Sequence, residues 1–150
     1  GSTELIAPGG DGFFATGVAL AGDRLVVSQD VFDAMFTALP GRLLIYEVTS
    51  MSPFTVAAMP TIVTTSVPNP QQLAVYTSAA YGELVLIVCS PFGGPAAIDV
   101  LDPRAGRLHE SLPLGGAVVD SFFLPDEIVV RGRNAYLGTE KGLLSFGLSP

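Results

Sequence analysis

The sequence predicts an all-β chain built from a recurring unit of about four short antiparallel strands. Three observations carry that prediction. Runs rich in Val, Ile, Leu, Phe and Tyr are cut at short intervals by Gly, Pro, Asn or Asp, the punctuation of strands and turns. No stretch sustains an apolar 3.6-residue period over three turns. A turn-then-strand pattern returns three times along the 150 residues.

Each unit is expected to run through the same elements. An upstream strand covers Phe13–Leu20, then Leu73–Ser78, then Glu127–Arg131. A glycine turn leads into a second strand in Ala21–Ser28, Tyr81–Ile87 and Gly132–Gly138. A third strand lies in Gly41–Val48, Ala97–Pro103 and Gly142–Leu148. A more variable strand is expected ahead of these, inside Thr55–Val67 for the second unit and Ala117–Leu124 for the third. In the first unit that strand is Glu4–Ala7 or is missing. Unit boundaries then fall near residues 52 and 108, dividing the chain into 1–52, 53–108 and 109–150. Long loops, Asp30–Pro40 and Ser90–Ala96, join the second and third strands of the first two units. Within the first of them, Val31–Leu39 is the best helical candidate, closed after a single turn at most by Pro40-Gly41. Leu25, Leu84 and Ala135 recur 59 and 51 residues apart. Repeats of about 40–50 residues with several strands each mark propeller blades. The expected fold is therefore about three four-stranded antiparallel blades of a β-propeller, part of a larger or oligomeric ring.

Two stretches carry a family resemblance. Gly132–Pro150, reading GRNAYLGTEKGLLSFGLSP, resembles the LVIVD-type propeller repeat, with its Gly-Asn turn, Ala-Tyr strand and closing strand before a Ser-Pro linker. Ala97–Leu108, reading AIDVLDPRAGRL, resembles the closing strand of a YVTN-type repeat. Gly147 departs from the pattern where Glu47 and Asp102 supply an acidic residue, and the chain has no Trp. The resemblance implies a propeller and an extracytoplasmic bacterial setting, at the cell surface or in the periplasm. It does not imply one function, because such repeats serve many.

Propellers close with 4–8 blades. Three units leave two apolar sheet faces to be covered, either by further blades or by a second chain; three plus three would make a six-bladed ring. A compact three-sheet sandwich without ring closure is the structural alternative. Between Glu47 and Asp99 the only charged residue is Glu83. That stretch reads as a central unit with neighbours on both faces, or else as a protein-contact surface.

Composition excludes several functions. Charged residues are 14% and the net charge is −7, with 7 Lys and Arg against 14 Asp and Glu. Nucleic acid needs a basic surface, and an anionic membrane surface is disfavoured for the same reason. The longest apolar run, Leu84–Cys89, is far short of the ~20 residues of a membrane-spanning helix. Seventeen Gly and twelve Pro exclude a long helix, and 49% apolar residues exclude a disordered chain. No signal peptide is visible, and the opening Gly1-Ser2 reads as a cloning remnant. The single cysteine, Cys89, allows no internal disulfide and reads as a buried small hydrophobe.

Candidate chemistry is sparse. The one histidine, His109, reads as a surface linker residue at a unit boundary. No Gly-x-Ser-x-Gly elbow accompanies it. Gly9-Gly10 and Gly93-Gly94 lack the helix and Lys of a phosphate cradle and read as turns. Asp30 and Asp33 could offer oxygens to Ca²⁺, but without a full loop signature. Asp99 and Asp102, three apart on a strand, point to opposite faces and cannot chelate together. Asp102 is expected to accept backbone hydrogen bonds in the turn ending at Gly106. Asp126-Glu127 reads as a turn leading into a strand. No cofactor is expected, and any metal site is unknown.

The two loops are the most informative feature. Phe32, Met35 and Phe36 on one, and Phe92 on the other, are expected on one face of the propeller. Aromatic residues and Met are favoured at interface centres. They either fold back over their own blades or form a partner-binding patch. The expected function is a non-catalytic interaction or scaffold module with a protein partner. Two alternatives stand: a purely structural repeat, and a metal-dependent, lactonase-like propeller hydrolase whose site needs further blades. Three or more carboxylates converging on the channel would favour the hydrolase.

Overall fold

The computed structural model describes residues 12–115, 128–139 and 142–150. It is all-β, with no helix among them. Strands β1 (Phe13–Ala21), β2 (Arg24–Phe32) and β3 (Ala38–Met51) form an antiparallel meander. A short β4 (Phe54–Val56) folds against the end of β3, and β5 (Thr61–Pro68) runs back along its start. The second sheet orders β6 (Pro70–Ser78), β7 (Gly82–Cys89), β8 (Ala96–Asp102) and β9 (Arg107–Gly115) in sequence. The third holds β10 (Ile128–Arg131), β11 (Asn134–Thr139) and β12 (Gly142–Gly147).

The turns follow from local chemistry. Gly22 at φ 58° and Gly132 at φ 60° each occupy the first central position of a two-residue hairpin turn. That position in a type II′ turn requires positive φ, which glycine adopts without a Cβ penalty. The Asp102 carboxylate accepts the backbone N–H groups of Arg104 and Ala105 at 3.1 and 3.0 Å, as its spacing before Gly106 predicted.

The sheets stack in chain order with the second in the middle. Val26, Leu43 and Ile45 pack against Val85, Ile87, Cys89 and Leu101. The opposite face of the second sheet, including Leu84, Leu86, Val88, Ile98 and Val100, packs against Ala135, Leu137 and Ile128 of the third. Alternate residues of β7 thus enter two different cores, and Leu84 through Ser90 are all buried. This is why the run is uniformly apolar rather than alternating, and why the middle of the chain is poor in charge. Each fully buried Leu, Ile or Val stabilises the stack by about 1.5–3 kcal/mol. The first strands neighbour one another in order, β1 beside β6 and β6 beside β10.

Polar contacts join the first two sheets. The Asp99 carboxylate on β8 is fully buried. It accepts hydrogen bonds from the Ser66 N–H (2.7 Å) and Ser66 Oγ (2.5 Å) on β5, and from Ser111 Oγ on β9 (2.7 Å). Thr16 Oγ1 donates to the Pro70 carbonyl at 2.6 Å. Gly41 is required where β3 meets β6, because a Cβ there would lie 2.5 Å from the Pro70 ring.

Four expectations are corrected. Thr55–Val67 does not open the second sheet; its strands β4 and β5 pair with β3 and complete the first. Residue 108 likewise lies inside β9, so the sheets run 13–68, 70–115 and 128–147 rather than dividing near 52 and 108. The reason is that the chain folds back onto β3 twice, through β4 and then β5, before it crosses to the second sheet. Asp30–Pro40 is not a long loop with a helical turn. Val31 pairs with Leu39 and Phe32 with Ala38, leaving only residues 33–37 to turn. His109 is not a linker residue; it sits in β9 with its ring 4.3 Å from that of Tyr81. The strands expected at Glu4–Ala7 and Ala117–Leu124, together with Gly9-Gly10 and Asp126-Glu127, lie outside the described residues.

Candidate functional site

The β2–β3 and β7–β8 hairpins project from the same end of the stack. Asp30 near the end of β2 meets Gln71 near the start of β6, and the start of β6 pairs with the end of β7 at Cys89. The register that buries the two sheets against each other therefore sets both tips on one end.

The first tip is closed by Asp33. Its Oδ1 accepts the N–H of Met35 at 2.8 Å and of Thr37 at 2.9 Å, a local turn that spends the carboxylate on backbone. Asp33 is accordingly a turn former and does not join Asp30 as a ligand pair. Met35 and Phe36 stand outward at 84% and 82% exposure. Phe36 adopts φ 59°. A bulky residue there costs about 1–2 kcal/mol relative to ordinary backbone. The second tip holds Phe92 outward at 64% exposure between Pro91 and Gly93, the latter at φ 69°. Phe32 differs from the other three. It is half-buried, and its ring stands edge-to-face to Phe14 at 5.9 Å and 72°. Phe92 belongs to the neighbouring sheet and has no part in that pair.

Phe14 was not singled out from sequence. The available signal is the register: Phe14 is the cross-strand partner of Asp30, and Phe32 follows Asp30 by two on the same strand, so all three share one face. Asp30 itself is half-buried. Desolvation pushes its pKa up to about 6, opposed by the Gln71 side-chain amide. That amide donates to Asp30 Oδ2 at 3.5 Å, while Oδ1 is buried without a partner.

Elsewhere the chemistry is structural. Cys89 is buried, and its thiol is pushed up first by burial and then by the charge of Asp99, so it carries no reactive thiolate. Arg42 stacks over Phe13 at 3.8 Å and donates to Gln29 Oε1 at 2.7 Å. At the opposite end of the stack a polar groove of about 220 Å³ runs between Arg24, Glu47, Met59, Thr61 and Arg104. Among the described residues no group of three or more His, Cys, Asp or Glu is placed to hold a metal ion. No helix among them is long and apolar enough to cross a membrane.

Neither a family model, nor a curated protein, nor a solved structure matches the chain. What can be stated of its class is an all-β protein of stacked antiparallel sheets with apolar hairpin tips gathered at one end.

Proposed function

We propose that the chain is a non-catalytic interaction module: consecutive blades of a β-propeller that hold a protein partner through Met35, Phe36 and Phe92, with Phe32 supporting the first tip. The observation that carries the reading is Phe36. A large apolar ring is held in solvent on a backbone conformation that Gly or Asn would adopt at lower cost. Such an outlier points to a role outside the fold. Burying aromatic and Met side chains against a partner recovers the free energy their exposure forgoes.

The propeller arrangement is supported by the order of β1, β6 and β10 as neighbours and by the face-to-face stacking of successive sheets. Val18, Leu20 and Ile62 on the first sheet, and Val129 and Leu143 on the third, remain exposed apolar residues. Further sheets, from the same polypeptide or a second chain, would cover them. Placement at a bacterial cell surface or in the periplasm is proposed on the repeat resemblance.

The test is a Met35→Ser, Phe36→Ser, Phe92→Ser triple variant. The exposure of these residues predicts an unchanged unfolding midpoint, with loss of a partner that the unaltered chain retains and that rebinds when purified. Retention of every partner at full affinity, or collapse of the fold, overturns the reading.

A further inference from the structure

We propose that Asp30, framed by Phe14 and Phe32, receives a cationic nitrogen group, a lysine ammonium or an arginine guanidinium, carried by the protein that the hairpin tips engage. This rests on the interaction reading above and names the chemistry of the partner.

The register places the three residues on one face at the shared end of the first two sheets. Phe14 is 53% exposed, so the aromatic pair borders solvent, while Asp30, opposite Phe14 on the same face, is half-buried. The carboxylate is short of partners. Among the described residues its one hydrogen bond, from Gln71 Nε2, is 3.5 Å long, and its other oxygen is buried without a partner. Oδ1 is closed to solvent, so an incoming donor must approach Oδ2, which the long Gln71 bond leaves with free lone pairs. Among the described residues no Lys or Arg forms an ion pair with Asp30; the ion pairs present fall on Asp23. Arg42 is engaged with Gln29 and Phe13, and Gln29 alternates to the other face from Asp30.

A carboxylate flanked by aromatic rings matches an organic cation on two counts. The oxygens accept charge-assisted hydrogen bonds, and ring faces attract positive charge. A neutral donor can hydrogen-bond the carboxylate, as the Gln71 amide does, but brings no charge for the carboxylate and rings to attract, and an anion is repelled. The net charge of −7 acts in the same direction at long range, drawing basic partners toward the surface.

The test is an amide NMR titration of the 150-residue chain with n-butylammonium, with n-butylguanidinium as a parallel arm and n-butanol as the neutral control. Saturable shifts at Phe14, Asp30, Phe32 and Gln71 are expected with a cation and not with butanol. The tighter of the two cations identifies the side chain. Asp30→Asn should weaken binding about tenfold, as expected for losing a charge-assisted pair. Phe14→Leu, which keeps the carboxylate, should weaken it less. Shifts that never saturate, that butanol reproduces, or that survive Asp30→Asn overturn the proposal. The Met35, Phe36, Phe92 triple variant separates the two readings. It should lose the partner yet keep the butylammonium shifts. A partner that binds Asp30→Asn with unchanged affinity and salt dependence removes this inference and leaves the hairpin reading standing.

Discussion

Single residues in this protein show their roles through what they fail to satisfy. Asp30 holds a carboxylate in partial burial with one weak hydrogen bond, and its pKa rises from 3.8 to about 6. A carboxyl that binds its proton more tightly when folded stabilises the fold only while protonated. Its cost is absent below about pH 4, grows as pH rises to about 6 and is constant above that. Because the side chain is half open to water, solvent screening leaves about 1 kcal/mol of that cost at neutral pH. Asp30→Asn should therefore raise the urea midpoint at pH 8 and leave it almost unchanged at pH 4. Equal gains at both pH values would refute this assignment.

At the scale of elements, the junction of β5, β8 and β9 is held by one buried anion. Asp99 collects two donors from β5 of the adjacent sheet and one from β9, and the Cys89 thiol on β7 lies 3.8 Å from its Oδ2. Asp99→Ala removes the shared acceptor of the Ser66 N–H and two hydroxyl groups, but Ser66 and Ser111 are themselves exposed, so water can take up their donors. The expected loss in equilibrium unfolding is about 2 kcal/mol, the worth of hydrogen bonds to a charged group exchanged for bonds to water. An unchanged unfolding midpoint would show that this carboxylate does not hold the junction. The β2–β3 hairpin gives a second lesson at this scale. Apolar residues that read as a loop extend the ladder to Phe32 and Ala38, because Asp33 compresses the turn into five residues.

For the whole molecule, the decisive feature is a stack of three sheets with both outer faces partly apolar. The middle sheet is complete because it has neighbours on each side. The outer ones expose Val18, Ile62 and Leu143 at 65%, 53% and 75%. Native mass measurement of the purified 150-residue chain is expected to show self-association or a bound second chain. A stable monomer that stays soluble at high concentration would contradict the incomplete-propeller proposal and favour a self-sufficient sandwich.

Much of this was legible in the amino acids. Turn chemistry at Gly22, Gly132 and Asp102, the apolar runs, and the charge-poor centre between Glu47 and Asp99 fixed an all-β chain of meanders with a buried middle, because these signals are local or compositional. The grouping of strands was not legible, since β5 carries no mark saying whether it closes one sheet or opens the next; only pairing with β3 decides that. The Phe14–Asp30–Phe32 face was hidden for a related reason. Strand alternation depends on register, and a bulge between Ala15 and Gly17 resets it. Long-range packing alone chose which side chains met, which carboxylate lost its water, and which aromatic rings stayed outside.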